Sequence, residues 1–346
     1  MERILHQILK FPVLLFLIFL FAIHCNSSNL KLNKRPFPSS LKSRLTGFNI
    51  NWSFLPSLNN QFIKTVTLLK PKIIRYPGGT ISNFWNWEKG LSDKYTKRKI
   101  HKIDDLLKLK NATGADVSFV LNIVSSSFQE QLRLLKTAQK IGIPVKYIEL
   151  GNEQYLYRGK FTYNKDRFPT GADYGKFANT WAEKLKKEFP DVKIGIVLLG
   201  RTSKTKKRLI EWNRLVLKNI KDKNFDAFIY HIYFTFPNHI KLTAHNIDSA
   251  IKKRISDFNK AMVAKHGKEI WITEYGVHTN SEKKEVAVTK KLADKIESIA
   301  NISMAHILYI HTNKPKHNFF SMLEKDGEIT TLTKLGEMFR KRVNSH

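Results

Sequence analysis

The sequence predicts an α/β fold, a (β/α)8 TIM barrel forming a single domain with no accessory β-sandwich. Three observations carry this. Short apolar, β-rich runs alternate eight times with helical patterns. The alternation fills about 300 residues, the length such barrels need. No Gly-rich phosphate loop follows the first run, which disfavours a doubly wound open sheet. The chain has 346 residues, 42 % hydrophobic and 12 % aromatic, enough for a large core, so global disorder is excluded. Its one cysteine, Cys25, excludes an intramolecular disulfide and any site built from several cysteines.

The eight runs are Leu45–Asn51, Lys72–Pro77, Val117–Val124, Lys146–Leu150, Lys193–Leu199, Ala227–Phe234, Glu269–Tyr275 and Met304–His311. Continuous apolar runs suit strands buried on both faces of a parallel sheet. Between them, Leu132, Leu135, Ala138 and Ile141 share one helical face, closed by Gly142 and Pro144. Tyr174, Phe177, Trp181 and Leu185 mark a second face, with Asp173 as its expected N-cap. Ile247, Ile251, Ile255, Phe258 and Met262 mark a third, expected to end at Gly267. A last helix is expected over Lys334–Arg340.

The first 43 residues read differently. Arg3 and Lys10 precede Phe11–Ile23, an apolar run without charge. That is the length of a signal-peptide core and short of the roughly 20 residues that cross a membrane as a helix. Cys25 follows at once and resembles the lipidated cysteine of bacterial lipoproteins, although His24 stands where those signals carry a small residue. The alternatives are ordinary cleavage and an uncleaved anchor. The expected organisation is a signal segment over 1–25, a polar tether over 26–43 containing Pro36 and Pro38, and a catalytic barrel over 44–346. The expected location is the cell envelope, through a lipid on Cys25, or otherwise secretion.

With 60 Lys and Arg against 29 Asp and Glu, the formal net charge is +31. Such a chain can attract nucleic acid, anionic membrane or acidic polymers. No zinc-finger spacing and no RNP-like aromatic motif accompanies the charge, so nucleic acid is not expected as a partner. Basic residues follow the fourth run (Arg158, Lys160, Lys165, Arg167), the fifth (Arg201, Lys204, Lys206, Lys207, Arg208) and the eighth (Lys314, Lys316, His317). In a barrel these loops flank the active site, where they could guide a uronate- or sulfate-bearing glycan. The run Lys252-Lys253-Arg254, read as distant from the site, favours the plainer view of a lysine-rich surface.

Chemistry in such barrels sits at the C-terminal strand ends. The fourth run ends Glu149-Leu150-Gly151-Asn152-Glu153 and the seventh Trp271-Ile272-Thr273-Glu274-Tyr275-Gly276. Each tripeptide alone is weak, since a lone Glu at a strand end is commonly a surface charge. The pair on strands four and seven suits glycoside cleavage, where one carboxyl protonates the leaving oxygen and the other attacks the anomeric carbon. The second run adds Arg75-Tyr76-Pro77-Gly78-Gly79-Thr80, then Trp85 and Trp87. Pro-Gly-Gly would serve any turn. The functional reading has Gly78 and Gly79 admit a sugar, Arg75 orient the nucleophile, and Trp85 and Trp87 stack on sugar faces.

The series Arg-Tyr-Pro-Gly-Gly…Trp, Glu-Leu-Gly-Asn-Glu and Trp-Ile-Thr-Glu-Tyr-Gly resembles the clan of retaining TIM-barrel glycoside hydrolases known as clan A. Its α-L-arabinofuranosidase and heparanase-like glucuronidase branches are nearest. The resemblance spans Arg44 to Arg340, with Thr80 departing from the Asn that arabinofuranosidases carry there. It implies that Glu153 is the acid/base, Glu274 the nucleophile and Asn152 the partner of the sugar 2-hydroxyl. It adds His231 and Tyr233 of the sixth strand, and Tyr275 beside the nucleophile, as substrate contacts. His278 and His311 are read as ordinary rim residues. The implied reaction is double displacement with retention on an oligosaccharide or polysaccharide, by a monomer needing no cofactor and no metal. It asks for a raised pKa on the acid/base and a low one on the nucleophile. The alternative is a glycan-binding barrel without catalysis, which the presence of both glutamates and Asn152 disfavours.

Overall fold

The computed structural model describes residues 47–344, apart from 95, 263–266, 280, 300–301, 309–320 and 327–328. The proposed export segment, Cys25 and the tether therefore lie outside the described residues, as do His311, Lys314, Lys316 and His317. Eight parallel strands close into a barrel: β1 (Gly47–Asn49), β2 (Ile73–Tyr76), β3 (Asp116–Val120), β4 (Tyr147–Glu149), β5 (Lys193–Val197), β6 (Ala227–Thr235), β7 (Glu269–His278) and β8 (Ile302–Leu308). Each pairs with its neighbours in sequence, and β8 closes on β1 with His306 opposite Gly47. The expected (β/α)8 fold is the observed one. Among the described residues, the other strands form two small hairpins, 85–92 and 323–332.

The helices of eight residues or more among the described residues are α1 (Asn60–Thr67), α2 (Ile103–Thr113), α3 (Phe128–Lys140), α4 (Gly171–Glu188), α5 (Lys207–Lys218), α6 (Ala244–Ala261), α7 (Glu282–Glu297) and α8 (Lys334–Asn344). Their apolar faces pack on the outer face of the strands, burying Leu134, Leu135 and Ala138 of α3 and Tyr174, Trp181 and Leu185 of α4. Among the described residues no helix is long and apolar enough to cross a membrane.

Local chemistry sets the ends. At the close of α3, Gly142 takes φ +95°, which lets Ile143 N–H reach back to Ala138 O at 2.8 Å. The third strand stops at Val120, earlier than the apolar run, because Asn122 Oδ1 accepts from the amides of Val124 and Ser125 and turns the chain. Two expected boundaries are corrected. Asp173 is not the N-cap of α4: Thr170 is, and Asp173 is the third helical residue, its carboxylate accepting from Thr170 N–H at 2.8 Å in a capping box. The apolar face of α6 continues through Met262, but the helix ends at Ala261, well before Gly267.

Candidate active site

The interior of the barrel is polar at its upper end, and Arg75 organises it. The side chain is wholly buried on β2. Its Nε lies 3.0 Å from both carboxylate oxygens of Glu149, its Nη1 donates to Glu274 Oε1 at 2.7 Å and Asn49 Oδ1 at 3.1 Å, and its Nη2 to Asn152 Oδ1 at 3.0 Å. Burial works against the guanidinium charge, but Glu149 and Glu274 outweigh it and raise the pKa. Ser118 on β3 adds a hydrogen bond to Glu149 at 2.9 Å.

Glu274 stands on β7. The pairing of β6 with β7 shifts between Tyr230 and His231, so that Thr273 is skipped and His231 comes opposite Glu274. Such a bulge re-aims a side chain. Here it sets His231 Nδ1 3.4 Å from Glu274 Oε2 and 3.1 Å from Glu153 Oε1. His231 Nε2 faces Thr273 Oγ1 at 3.2 Å, and Tyr233 donates its hydroxyl hydrogen to Glu274 Oε2.

Glu153 lies past the end of β4 with φ +54°, a left-handed conformation that strains a residue bearing a side chain. The surroundings hold it there. Its carbonyl accepts from Asn164 Nδ2 at 3.1 Å and from Leu156 N–H at 2.9 Å, and its Oε1 accepts from Tyr155 at 2.9 Å. Burial pushes its pKa up, yet His231, Tyr155 and Arg75 prevail and hold it below the usual carboxylate value. The free site thus departs from the raised pKa expected of an acid/base. One ligand-type atom each from Glu153, His231 and Glu274 falls within a 4.8 Å spread. The trio has the composition of a cation site. With Arg75 on Glu274, however, a divalent ion would meet a buried guanidinium, and the three groups already serve as one another's partners.

The glycines differ in their work. A Cβ on Gly78, at φ +77°, would meet Ile50 O at 2.3 Å, so this glycine lets two backbones approach. A Cβ on Gly79 would face Glu274 Oε1 at 3.7 Å and the amide nitrogens of Asn49 and Asn51 at 3.8 and 3.9 Å. Gly79 therefore keeps open the space above Glu274. Asn49 Nδ2 is buried there without a hydrogen-bond partner among the described residues.

Two expected sugar contacts are corrected. Trp85 is buried in the core, its indole N–H donating to Tyr76 Oη at 2.9 Å, edge-on to that ring. Its faces are packed against protein, as its apolar area demands. Tyr275 follows Glu274 on β7 and by strand alternation faces the helix layer, where Glu297, Asp294 and Arg342 are its charged neighbours and burial raises its pKa. Trp87 donates to Glu130 O at 3.2 Å on the flank of the barrel. Arg208, expected among the rim charges, instead clamps the β4 loop through the carbonyls of Gln154, Tyr155 and Phe168, and burial lowers its pKa to about 10.

Glu149, Asn49, Tyr155 and His306 belong to the site without having been singled out. Strand alternation would have found Glu149, two residues beyond Tyr147. His306 is fully buried with both ring nitrogens unpartnered among the described residues, and burial, Arg75 and His231 depress its pKa. No sequence pattern marks it.

Comparison with known proteins agrees with this fold. Residues 69–339 match the family model described as the glycosyl hydrolase catalytic core. No curated protein matches. Among solved structures, the α-L-arabinofuranosidase of Thermotoga maritima in its arabinose complex is similar at TM-score 0.60 and 17 % identity, over 87 % of this chain and 69 % of that one. AbfB, a family 51 α-L-arabinofuranosidase of Bifidobacterium longum, gives TM-score 0.64 at 14 % identity, over 86 % and 72 %. A β-glucuronidase from an uncultured Clostridium sp. gives 0.50 at 11 %, over 88 % and 50 %. At these identities the likeness is one of fold.

Proposed function

Because the chain belongs to the glycosyl hydrolase catalytic core family, within the TIM-barrel glycosidases of clan A, we propose that it cleaves its glycoside by double displacement with retention. One observation carries the proposal: an oxygen of Glu153 and an oxygen of Glu274 lie within 4.8 Å of each other. Retaining sites hold their carboxyls at about 5–5.5 Å, and inverting sites at about 6.5–9.5 Å to admit a water.

In this reading Glu274 attacks the anomeric carbon. Arg75 on one carboxylate oxygen and Tyr233 on the other fix its orientation. Glu153 protonates the departing oxygen and then takes the proton from the incoming water. A bound leaving group covers Glu153 and strengthens the upward push of burial on its pKa. Once Glu274 is esterified its negative charge is gone, and Glu153 gives up its proton affinity when a base is needed. Asn152, held by Arg75 through Oδ1, is left its amide hydrogens for a sugar hydroxyl. The substrate in this reading is an oligosaccharide or polysaccharide bearing uronate or sulfate, in keeping with the net charge of +31. Proton NMR of the first-formed sugar tests the mechanism: the anomer of the substrate is expected, and the opposite anomer refutes double displacement.

We also propose that the chain acts as an exported monomer anchored through a lipid on Cys25, supported by the uncharged run Phe11–Ile23 directly before it. A fatty-acid analogue should label the wild type and not Cys25→Ser. Equal labelling of both rules the anchor out.

A further inference from the structure

Beside Glu153 the barrel opens into a cavity of about 520 Å³, whose wall includes Glu153, Tyr155, Arg201, Tyr233, Arg254 and Asp257. Glu274 is not among the described residues that line it. The acid/base of a glycosidase stands next to the glycosidic oxygen, so a cavity entered past Glu153 takes the group bonded to that oxygen. Resting on the hydrolase reading above, we propose that this cavity is the leaving-group subsite and that Arg201, supported by Arg254, binds a carboxylate or sulfate on the leaving sugar.

Arg254 was read from the sequence as part of a surface charge run, yet it is half-buried in this wall. Its Nε donates to Tyr233 O at 2.8 Å and its Nη1 to Gly200 O at 3.2 Å, which fixes the guanidinium between the ends of β6 and β5. Neither arginine forms an ion pair among the described residues. They are near enough that, after burial, the charge of Arg201 helps to depress the pKa of Arg254, while Asp257 opposes that fall. Asp257 thus offsets one guanidinium and the other remains. When Glu153 is protonated for the first step, the wall carries a net positive charge facing the departing sugar. Arg201 is exposed at the mouth of this recess, so its planar fork is free to turn towards an anion, while Arg254 is fixed behind it. Arg201 is also near enough to Tyr155, the hydrogen-bond partner of Glu153, for its charge to oppose the rise that burial and Glu153 impose on the pKa of that tyrosine.

The test is calorimetric titration of the full chain carrying Glu153→Gln, which reproduces the neutral acid, at fixed ionic strength with D-glucuronate, glucose 6-sulfate and, as the neutral probe, D-glucose. At least one anionic sugar should bind ten-fold or more tightly than glucose, and the advantage should vanish in Arg201→Ala and partly return in Arg201→Lys. Tight binding of glucuronate alone assigns the site to a carboxylate, and of glucose 6-sulfate alone to a sulfate. Lys204→Ala, in the same loop, controls for the general positive charge and should keep the advantage. Equal affinity for glucose, an unchanged Arg201→Ala, or an equal loss in Lys204→Ala overturns the inference. A crystal soaked with the favoured anion should show it on Arg201 with its ring beside Glu153, and an anion elsewhere overturns the assignment. Retention of configuration alongside binding blind to charge would sink this inference alone. Inversion alongside charge-selective binding would sink only the double-displacement reading.

Discussion

Arg75 Nη1 lies 2.7 Å from Glu274 Oε1, and the same guanidinium grips Glu149 through Nε. Glu274 is thus tied to a second, wholly buried carboxylate three strands away. Arg75→Lys tests the arrangement. An ammonium keeps the charge but cannot reach Glu149, Asn49, Asn152 and Glu274 together. The loss of one oriented donor at a reacting centre costs about 10²–10³ in kcat. A fall of that size with KM little changed is expected in steady-state assays. The melting temperature should fall as well, because Glu149 is left partly uncompensated. Near-wild-type kcat would show that Arg75 only supports the fold.

The barrel and its two glutamates were legible because the chain alternates two patterns and the glutamates stand at the ends of two of the runs. Eight apolar runs alternate with helical patterns, Glu153 follows the end of run four, and Glu274 stands at the end of run seven. What was not legible depends on which way a side chain turns. Trp85 and Tyr275 carry the residue types of a sugar platform, but alternation along β7 turns Tyr275 outward, and burial of Trp85 against Tyr76 gains more than exposure would. Asn49 and His306 could not be found, since each is one polar letter in an apolar run whose inward direction only barrel closure decides. Arg254 was misplaced because its side chain turns inward from α6 to the carbonyls of Tyr233 and Gly200, which the charge run does not reveal.

Gly78 and Gly79 should respond differently to alanine. Both have positive φ, and Gly79, at φ +55° and ψ −160°, lies in a region nearly closed to side chains, so each substitution costs about 1–3 kcal/mol of backbone strain. Gly78→Ala also forces a methyl to 2.3 Å from Ile50 O, and a further loss of about 1–3 kcal/mol is expected. Gly79→Ala meets nothing closer than 3.7 Å, but its methyl enters the space above Glu274. Thermal melts should therefore single out Gly78→Ala, while a rise in KM should single out Gly79→Ala. The reverse pattern would place the substrate elsewhere.

Glu285 on α7 is buried away from the site, and burial followed by the repulsion of Glu282 pushes its pKa up to about 9. The folded chain therefore holds a proton that the unfolded chain releases near pH 4.5. Its contribution to stability is complete below that pH and is lost progressively as the pH rises towards 9. Glu285→Gln keeps the neutral shape and removes the titration. It should be more stable than wild type by about 1–3 kcal/mol at pH 7, with the two converging near pH 4. Melting temperatures from pH 4 to 9 measure this, and a constant difference between the two proteins would refute it.

The two carboxylates sit in unlike surroundings, and that difference should appear in azide rescue. In the proposed mechanism Glu274, hydrogen-bonded to Arg75 and Tyr233, forms the covalent bond. Glu274→Ala should lose turnover on every substrate. Glu153→Ala loses the proton donor, which an activated aryl glycoside barely needs, so glycosylation of Glu274 should continue. Hydrolysis of that intermediate should stall, because water has lost its base. Azide needs no base. Entering from the face that Glu153 vacated, it should restore turnover and yield a glycosyl azide of retained configuration. In Glu274→Ala, azide can enter only from the opposite face, displacing the leaving group directly while Glu153 protonates it, and the product should be inverted. Inversion with Glu153→Ala and retention with Glu274→Ala would exchange the two roles. Rates near wild type in both variants would move the chemistry away from this pair altogether.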